Sequence, residues 1–258
     1  MVSTWDPDLY LRFTDQRLRP ALDLMARVPL AEARAIYDLG CGTGSVTRLL
    51  RERWPRARVT GVDASPEMLD QAKAIPDIRW EHADLANWRA DSAADLVYSN
   101  ATFHWLDHHE ALFPHLFGQV SSGGFLAVQM PRQHLKPSHT ILFELVRESR
   151  WNFLADAIRE DPVHEPGFYY DTLCARAAAL DVWETEYFHV LEGEDPVLAW
   201  FAGSILRPVL DRLDSSGKAA FLGAYGQRLR EAYPARADGR EQSVLRQFLR
   251  RHVAAAGT

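Results

Sequence analysis

Short apolar runs alternate with helix-like segments over much of the chain. The runs that are typical of buried strands lie at 35–40, 58–63, 78–84, 94–100 and 124–130. A predicted helix from Thr43 to Trp54 carries Val46, Leu49 and Leu50 on one face. Ser65 and Pro66 are typical of a helix start, and that helix is predicted to bury Met68, Leu69 and Ala72. This alternation predicts an α/β fold with a Rossmann-like, doubly wound, mostly parallel sheet.

The pattern changes after Pro131. Residues 138–160 and 195–232 have helical periodicity, and 183–191 alternate as a strand would. We therefore expect a helical cap beside the carboxyl ends of the sheet, where open α/β proteins bind ligands. The predicted domains are an N-terminal helical segment at 1–30, a ligand-binding core at 31–131, a helical cap at 132–180 and 195–235, and the last strands of the sheet at 181–194 and 244–256.

The first apolar run ends in Asp38 and continues into a loop with glycines at 40, 42 and 44. A sharp turn needs residues that are free to adopt positive φ, and a ligand pressed against the backbone needs positions without a Cβ. Ser45 breaks the G-x-G-x-x-G spacing of dinucleotide enzymes. Asp38 would repel a pyrophosphate but could meet a cation or an amine. The loop therefore predicts a site for a nucleoside without phosphates.

Two further carboxylates follow the next two strand-like runs. Asp63 comes nineteen positions after Gly44, where a second parallel strand would place it against ribose hydroxyls. Asp84 ends the third run, where it could accept a hydrogen bond from an adenine amine. A glycine loop alone is a weak signal, but its combination with two carboxylates in register predicts a nucleoside site.

Composition limits the function classes. The 258 residues are 47% hydrophobic and carry a net charge of −6, which argues against a general affinity for nucleic acid. The two cysteines are Cys41, inside the glycine loop, and Cys174, so we expect a reducing compartment without disulfides. We find no signal-peptide pattern and no apolar run of membrane-spanning length, so the expectation is a cytoplasmic protein without a membrane partner. The pattern predicts no oligomeric state.

Motifs outside the glycine loop point to one family. They are Trp5-Asp6-Pro7, Tyr10–Phe13, Arg17–Ala21, Ser99-Asn100-Ala101 with Trp105-Leu106, Leu126–Pro131, Pro137-Ser138-His139, Asp181-Val182-Trp183, Leu206-Arg207-Pro208 and Glu231–Pro234. The chain thereby resembles the trans-aconitate methyltransferases, a family of class I S-adenosylmethionine-dependent methyltransferases. It departs from the family at 247–253, in the closing strand, and at His104, where the family usually has Gln.

The resemblance implies a cofactor and its contacts. S-adenosylmethionine would be converted to S-adenosylhomocysteine, with its methionine part along Asp38 and the loop of Gly40, Cys41, Gly42 and Gly44. Asp63 would bind the ribose, with Met68 either against the adenine or in the helix core. Asp84 and the backbone of Leu85 would bind the adenine edge, and Asn100 would meet the amino group.

The resemblance also implies a small polycarboxylate acceptor, such as trans-aconitate, that is converted to a monomethyl ester. Guanidinium groups suit such a substrate because their fork pairs with a carboxylate. The candidates are Arg12, Arg17, Arg19, Arg132, Lys136 and Arg207, and Arg207 is favoured because it stands between Leu206 and Pro208. Tyr10, Tyr169 and Tyr170 are either hydroxyl donors to the substrate or core residues, and Trp105 is a candidate pocket wall.

Three alternatives stay open. With a hydroxyl or amine acceptor, His104 would act as general base, whereas a carboxylate acceptor needs none. The chain could instead be a non-catalytic regulator that binds S-adenosylmethionine. A nicotinamide oxidoreductase is disfavoured by Ser45 and Asp38. His104, His108 and His109 suggest a metal site, but no further ligands support it, so no metal is predicted.

Overall fold

The computed structural model describes residues 14–158, 163–191, 193–234, 247–250 and 254–257. These residues form two compact units, which we name by their content. The sheet unit contains residues 18–131, 163–185, 249–250 and 254–257. The helical unit contains residues 14–17, 132–158, 186–191, 193–234 and 247–248. No helix of the described residues is long and apolar enough to cross a membrane.

Nine strands are present in the described parts of the chain. They are β1 (Ala35–Leu39), β2 (Arg58–Asp63), β3 (Arg79–His82), β4 (Ala94–Asn100), β5 (Val120–Pro131), β6 (Ala177–Asp181), β7 (Glu184–Tyr187), β8 (Gln247–Arg250) and β9 (Ala254–Gly257). The first five are parallel in the order β3-β2-β1-β4-β5. The predicted α/β fold with a doubly wound, mostly parallel sheet is therefore confirmed.

Helices cover both faces of this sheet. Side chains alternate along each strand, so Tyr37 and Val97 face one cluster while Ile36 and Tyr98 face the other. The helices His109–Phe117 and Pro166–Leu173 contribute to the first cluster. The helices Thr14–Arg27 and Ser45–Arg53 contribute to the second. A continuous apolar core on both faces is what parallel sheets require.

Antiparallel strands extend the sheet beyond β5. β9 pairs with β5, β6 pairs with β9, and β8 pairs with the end of β5 at Met130 and Pro131. Residues 177–180 were assigned to the helical cap in the sequence analysis, and that assignment is wrong because they lie in β6. Its alanines favour a helix locally, but pairing with a strand more than seventy positions later outweighs that preference.

Helices dominate the remaining part of the chain. They are Pro137–Arg147, the 3₁₀ segment Asn152–Ala157, Pro196–Ala202, Arg207–Leu210 and Ser215–Ala232. Trp151, Trp200, Phe221 and Tyr225 are among the buried residues at their centre.

The helical segments are more broken than the periodicity of 195–232 suggests. Gly203 ends one helix, Pro208 lies in the first turn of the next, and Asp214 caps the third by accepting from Gly217 N at 2.7 Å.

Three other boundaries differ from the expectations. The strand predicted at 183–191 is confined to Glu184–Tyr187. The helix predicted for 138–160 ends at Arg147 and is followed by a 3₁₀ segment. Residues 163–180 belong to the sheet unit rather than to the helical unit, because Val163, Tyr169 and Leu173 pack in the sheet core. A helical cap beside the carboxyl ends of the strands stays a prediction.

Candidate active site

The glycine loop lies at the carboxyl end of β1. Gly40, Gly42 and Gly44 have φ values of 76°, 55° and 82°, a region that favours glycine. A Cβ at Gly40 would lie 2.0 Å from Thr102 Oγ1, and a Cβ at Gly44 would lie 2.5 Å from the Trp80 ring. A Cβ at Gly42 would meet no atom within 4 Å. Close packing therefore requires two of these glycines, and the third borders open space.

Asp63, at the end of β2, is tied to this loop. Its Oδ2 accepts from Gly42 N at 2.8 Å and its Oδ1 accepts from Ser65 N at 2.9 Å. Each carboxylate oxygen has a second lone pair. The carboxylate is thus oriented by backbone donors and can still accept from two hydroxyls of a ligand.

The Asp38 side chain faces the opposite side of β1 from the Tyr37 side chain, because side chains alternate along a strand. It is buried, with 2% of its surface exposed, and Thr47 in the helix Ser45–Arg53 donates to its Oδ2 at 2.6 Å. Burial raises the pKa of Asp38 to about 7. The hydrogen bond from Thr47 lowers this pKa and the charge of Asp63 raises it further. Asp38 is therefore a carboxyl group that titrates near neutrality.

The turn after β4 carries several candidate residues. Asn100 ends the strand, and its Oδ1 is buried with no hydrogen-bond partner in the part of the chain that the structure describes. Ala101 has φ 53° and its N–H donates to the backbone oxygen and to Oε1 of Gln129, at 3.0 and 3.1 Å. The strained backbone at Ala101 is held by a buried glutamine, and this fixes the direction in which the chain leaves the strand.

His104 and Trp105 follow in the 3₁₀ turn Phe103–Trp105. Their ring centroids are 4.7 Å apart, and Trp105 is 50% exposed. Thr102 Oγ1 donates to the backbone oxygens of Gly40, at 3.3 Å, and of Asn100, at 3.1 Å. This turn is therefore attached to the glycine loop and presents an imidazole and an indole beside it.

The residues predicted to bind adenine differ in burial. Asp84 is exposed, and its two oxygens accept from Ala86 N and Asn87 Nδ2, each at 3.0 Å. Leu85 is buried. Met68 is only partly buried, so the prediction that its helix buries it together with Leu69 and Ala72 is wrong for Met68. A partly exposed Met on the first turn of that helix can contact a ligand.

Cys41 is buried within the loop, and burial raises the pKa of its thiol above the usual range. Cys174 is exposed, and neither cysteine is in a disulfide. A buried neutral thiol acts as a small apolar group here rather than as a nucleophile.

The substrate candidates are spread over both units. Arg132 and Arg207 are partly buried residues of the helical unit, and Arg207 begins the helix Arg207–Leu210 beside buried Leu206. Tyr169 is fully buried in the sheet unit and its hydroxyl lies 2.5 Å from His109 Nδ1, which corresponds to the core alternative rather than to a substrate donor. Tyr10 and Arg12 lie outside the described residues.

Three polar residues of this site carried no assigned role in the sequence analysis: Thr47, Thr102 and Gln129. Gln129 had a signal, since it is the one polar residue in the apolar run Leu126–Met130. Thr47 had a weaker one, since it stands among apolar residues of an amphipathic helix. Within the described residues no group of three or more His, Cys, Asp or Glu side chains could hold a metal ion.

Comparison with known proteins agrees with this geometry. A family model described as a methyltransferase domain matches residues 36–124. A trans-aconitate 2-methyltransferase of Streptomyces avermitilis is 46% identical over 245 residues, covering 91% of each chain. One from Escherichia coli is 41% identical over 258 residues, covering 100% of each chain. The chain belongs to the trans-aconitate 2-methyltransferase family.

Solved structures show the same fold in more distant proteins. A chain from a Haloferax volcanii complex between a methyltransferase activator and a methyltransferase has a TM-score of 0.56 at 19% identity, covering 98% of this chain and 95% of that one. A Haemonchus contortus phosphoethanolamine N-methyltransferase, solved with S-adenosylhomocysteine, has a TM-score of 0.56 at 14% identity. It covers 92% of this chain and 52% of that one.

The residues at the strand ends fit S-adenosylmethionine, the cofactor of this methyltransferase family. The buried Asn100 Oδ1 offers an acceptor for the ammonium group, and the open space at Gly42 admits a ligand against the backbone. Asp63 keeps a free lone pair on each carboxylate oxygen, which two ribose hydroxyls would suit. Asp38 offers a carboxyl group whose ionised form a nearby ammonium would favour.

Proposed function

We propose that this protein transfers a methyl group from S-adenosylmethionine to one carboxylate of trans-aconitate and forms a monomethyl ester. The observation that carries the proposal is the identity of 40–46% to trans-aconitate 2-methyltransferases over nearly the whole chain. It is supported by Asp63 bonded to the glycine loop and by the buried Asn100 Oδ1. When bound, S-adenosylmethionine supplies an electrophilic methyl group on a sulfonium.

The residues of the chain then have separate tasks. Asp63, Asn100 and the glycine loop hold and orient the cofactor, with Met68 and the Asp84-Leu85 segment at the adenine. A carboxylate acceptor is ionised at neutral pH, so no residue has to remove a proton from it. The tasks that are left are to bind the acceptor, to align one of its oxygens with the methyl carbon and to exclude water.

We propose that Arg207 and Arg132 pair with the carboxylates that do not react. A carboxylate that forms a bidentate pair with a guanidinium is a weaker nucleophile, so the reacting carboxylate must be left unpaired. Arg207 is supported by its partly buried position directly after the fully buried Leu206. Trp105 and His104 are proposed separately as acceptor contacts within the sheet unit, because their turn is attached to the glycine loop.

An acceptor screen with radiolabelled S-adenosylmethionine tests the proposal. Trans-aconitate, cis-aconitate and citrate are compared with neutral hydroxy and amino compounds, and mass spectrometry identifies the ester. We expect Arg207→Ala to raise the KM of the acceptor by about 2–4 kcal/mol of lost charge-assisted binding, with Arg207→Lys recovering part of it. Arg228→Ala, which removes an exposed pair with Glu148, is the matched control and should leave the KM unchanged.

A second candidate function is methyl transfer to a hydroxyl or amine, and substitution of His104 distinguishes it from methyl transfer to a carboxylate. His104 lies at the site, and such an acceptor would need it as a base. His104→Gln introduces the residue that the family usually has at this position. Turnover of trans-aconitate should then change only a few-fold, whereas an acceptor that needs a base should lose its turnover. Cofactor binding without turnover of any acceptor would instead favour a non-catalytic regulator.

A further inference from the structure

One buried histidine lies beside the active site but outside the groups that hold the cofactor. His109 begins the helix His109–Phe117 and is 0% exposed, packed against Phe113 and Tyr169 with ring centroids 5.3 and 5.7 Å away. A buried imidazole is costly unless its nitrogens are hydrogen-bonded. The hydrogen-bond partners of the His109 ring nitrogens therefore indicate which parts of the structure this buried residue holds in place.

The two nitrogens of this ring have partners that fix the direction of each hydrogen bond. Nε2 lies 2.9 Å from the carbonyl oxygen of Phe103, which can only accept, so Nε2 carries a hydrogen. In the neutral ring Nδ1 is then an acceptor, and the Tyr169 hydroxyl donates to it at 2.5 Å. The Tyr169 oxygen accepts from His164 N at 3.3 Å.

This chain of hydrogen bonds ends on the turn that carries His104 and Trp105. Phe103 is the first residue of that turn, and its carbonyl oxygen also accepts from Leu106 N at 3.0 Å. Gln129 binds Ala101 N just before the turn. The start of the turn is therefore held twice, by Gln129 at Ala101 and by His109 at the Phe103 carbonyl, and the hydrogen bond from Leu106 N to that carbonyl closes the turn.

We propose that His109 and Tyr169 are positioning residues for the acceptor. They hold the Phe103 carbonyl, and through it they fix the direction in which His104 and Trp105 face the acceptor. This inference rests on the proposed function in one respect, that the turn contacts the acceptor. It assigns Tyr169 a role in the reaction through the turn, although its hydroxyl is directed to His109 rather than to a substrate.

Two pairs of variants separate positioning from general packing. Tyr169→Phe removes only the hydroxyl, and Tyr98→Phe is its matched control, since Tyr98 is fully buried in the same unit and its hydroxyl donates to Ala21 O at 2.6 Å. His109→Gln keeps an N–H that can reach the Phe103 carbonyl, whereas His109→Leu removes it. We expect Tyr169→Phe and His109→Leu to lower kcat/KM for the acceptor about tenfold, with the Kd of S-adenosylhomocysteine within about twofold of wild type.

The rescue pair gives the sharper test. His109→Gln should recover part of the activity that His109→Leu loses, because Gln can donate a hydrogen bond to the Phe103 carbonyl and Leu cannot. Loss of stability alone would not produce that order at a temperature where all variants are folded. Tyr98→Phe should retain the kcat/KM of the wild type.

A measurement that needs no acceptor, hydrogen exchange, allows this proposal to fail independently of the proposed function. Wild-type turnover of trans-aconitate decides the substrate, and variant-to-wild-type ratios are measured on whichever acceptor the wild type uses. Hydrogen exchange at the Trp105 and Leu106 amides should become at least about tenfold faster in Tyr169→Phe, while the amides of β4 and β5 stay protected. The proposal is overturned if these amides do not change, if Tyr98→Phe has the same effect, or if cofactor affinity falls in parallel.

Discussion

The ends of the first two strands carry the same residue in opposite surroundings. Asp63 is partly exposed and receives two backbone N–H groups, at 2.8 and 2.9 Å. Asp38 is buried against a helix, where the Thr47 hydroxyl donates to it and burial raises its pKa to about 7. In the sequence both carboxylates end short apolar runs, and this pattern does not predict how far either of them is buried. Their environments make Asp63 an oriented acceptor and Asp38 a titrating group.

The difference arises from strand geometry. Side chains alternate across a strand, so Asp38 follows Ile36 onto the face that the helix Ser45–Arg53 covers. Asp63 is the last residue of its strand, at the level of the glycine loop. The two strand ends therefore present one carboxylate that backbone N–H groups orient and another that is buried and has a raised pKa.

The largest expected effect is on stability as a function of pH in Asp38→Asn. The folded-state pKa of about 7 lies above the value of 3.8 for an unfolded aspartate, so the unfolded chain loses this proton first as pH rises. The contribution of Asp38 is thus complete below about pH 4 and is lost between pH 4 and pH 7. The free energy of unfolding of the variant, relative to wild type, should rise by on the order of 4 kcal/mol over this range.

Urea unfolding monitored at several pH values measures this difference, and other titrating groups cancel in it. Asp70→Asn, at an exposed residue paired with Lys73, serves as the control and should show no such trend. A constant difference between pH 4 and pH 7 would mean that Asp38 ionises like an exposed aspartate, and the comparison with Asp63 would fail.

The second effect concerns Asp63. Asp63→Ala removes the proposed acceptor for two ribose hydroxyls and leaves Gly42 N and Ser65 N without the carboxylate that accepts from them. Calorimetry should show weaker binding of S-adenosylhomocysteine by about 2–3 kcal/mol, or roughly a hundredfold. Asp70→Ala should bind as wild type does. Unchanged affinity in Asp63→Ala, or tighter binding of NAD than of S-adenosylhomocysteine, would falsify the assignment of this site.

The glycine loop and the residues at the strand ends could be predicted because their signals are local. Gly40, Asp63 and Asn100 each follow a short apolar run, and strand order places such ends together. The burial of Tyr169 and the strand at Ala177–Asp181 could not be predicted in this way. The first depends on a helix that packs against His109, and the second on a partner more than seventy positions later. The role of Thr47 could be predicted only if the face of β1 on which Asp38 lies were known, because Thr47 donates to that carboxylate.

The helical unit shows the same limit for the acceptor residues. Arg207 was favoured because Leu206 and Pro208 flank it, and the structure shows Leu206 buried and Arg207 partly buried. Apolar neighbours in sequence therefore indicated burial correctly. They could not indicate which anion the guanidinium meets, because that depends on residues far away in the chain.

The third effect is proton release when the cofactor product binds. At pH 7 about half of the Asp38 carboxyls carry a proton, and an ammonium group nearby favours the ionised form. Binding of S-adenosylhomocysteine should release about half a proton at pH 7, and affinity should rise between pH 6 and pH 8 by up to about 1.4 kcal/mol per unit. Calorimetry in buffers of different ionisation enthalpy measures the release, and Asp38→Asn should abolish it.

The smallest effect on cofactor-product affinity is expected from removal of the Thr47 hydroxyl, which donates to Asp38. Thr47→Val keeps the shape of the side chain and removes the hydrogen bond that lowers the pKa of Asp38. That pKa should rise further, so binding of S-adenosylhomocysteine at pH 7.5 should weaken by about 1 kcal/mol and recover toward pH 9, where Asp38 is ionised in either protein. Thr47→Ser retains a hydroxyl and should keep the wild-type profile. A loss in Thr47→Val that is equal at every pH would show that the hydroxyl supports packing alone, and Asp38 would then need another explanation for its ionisation.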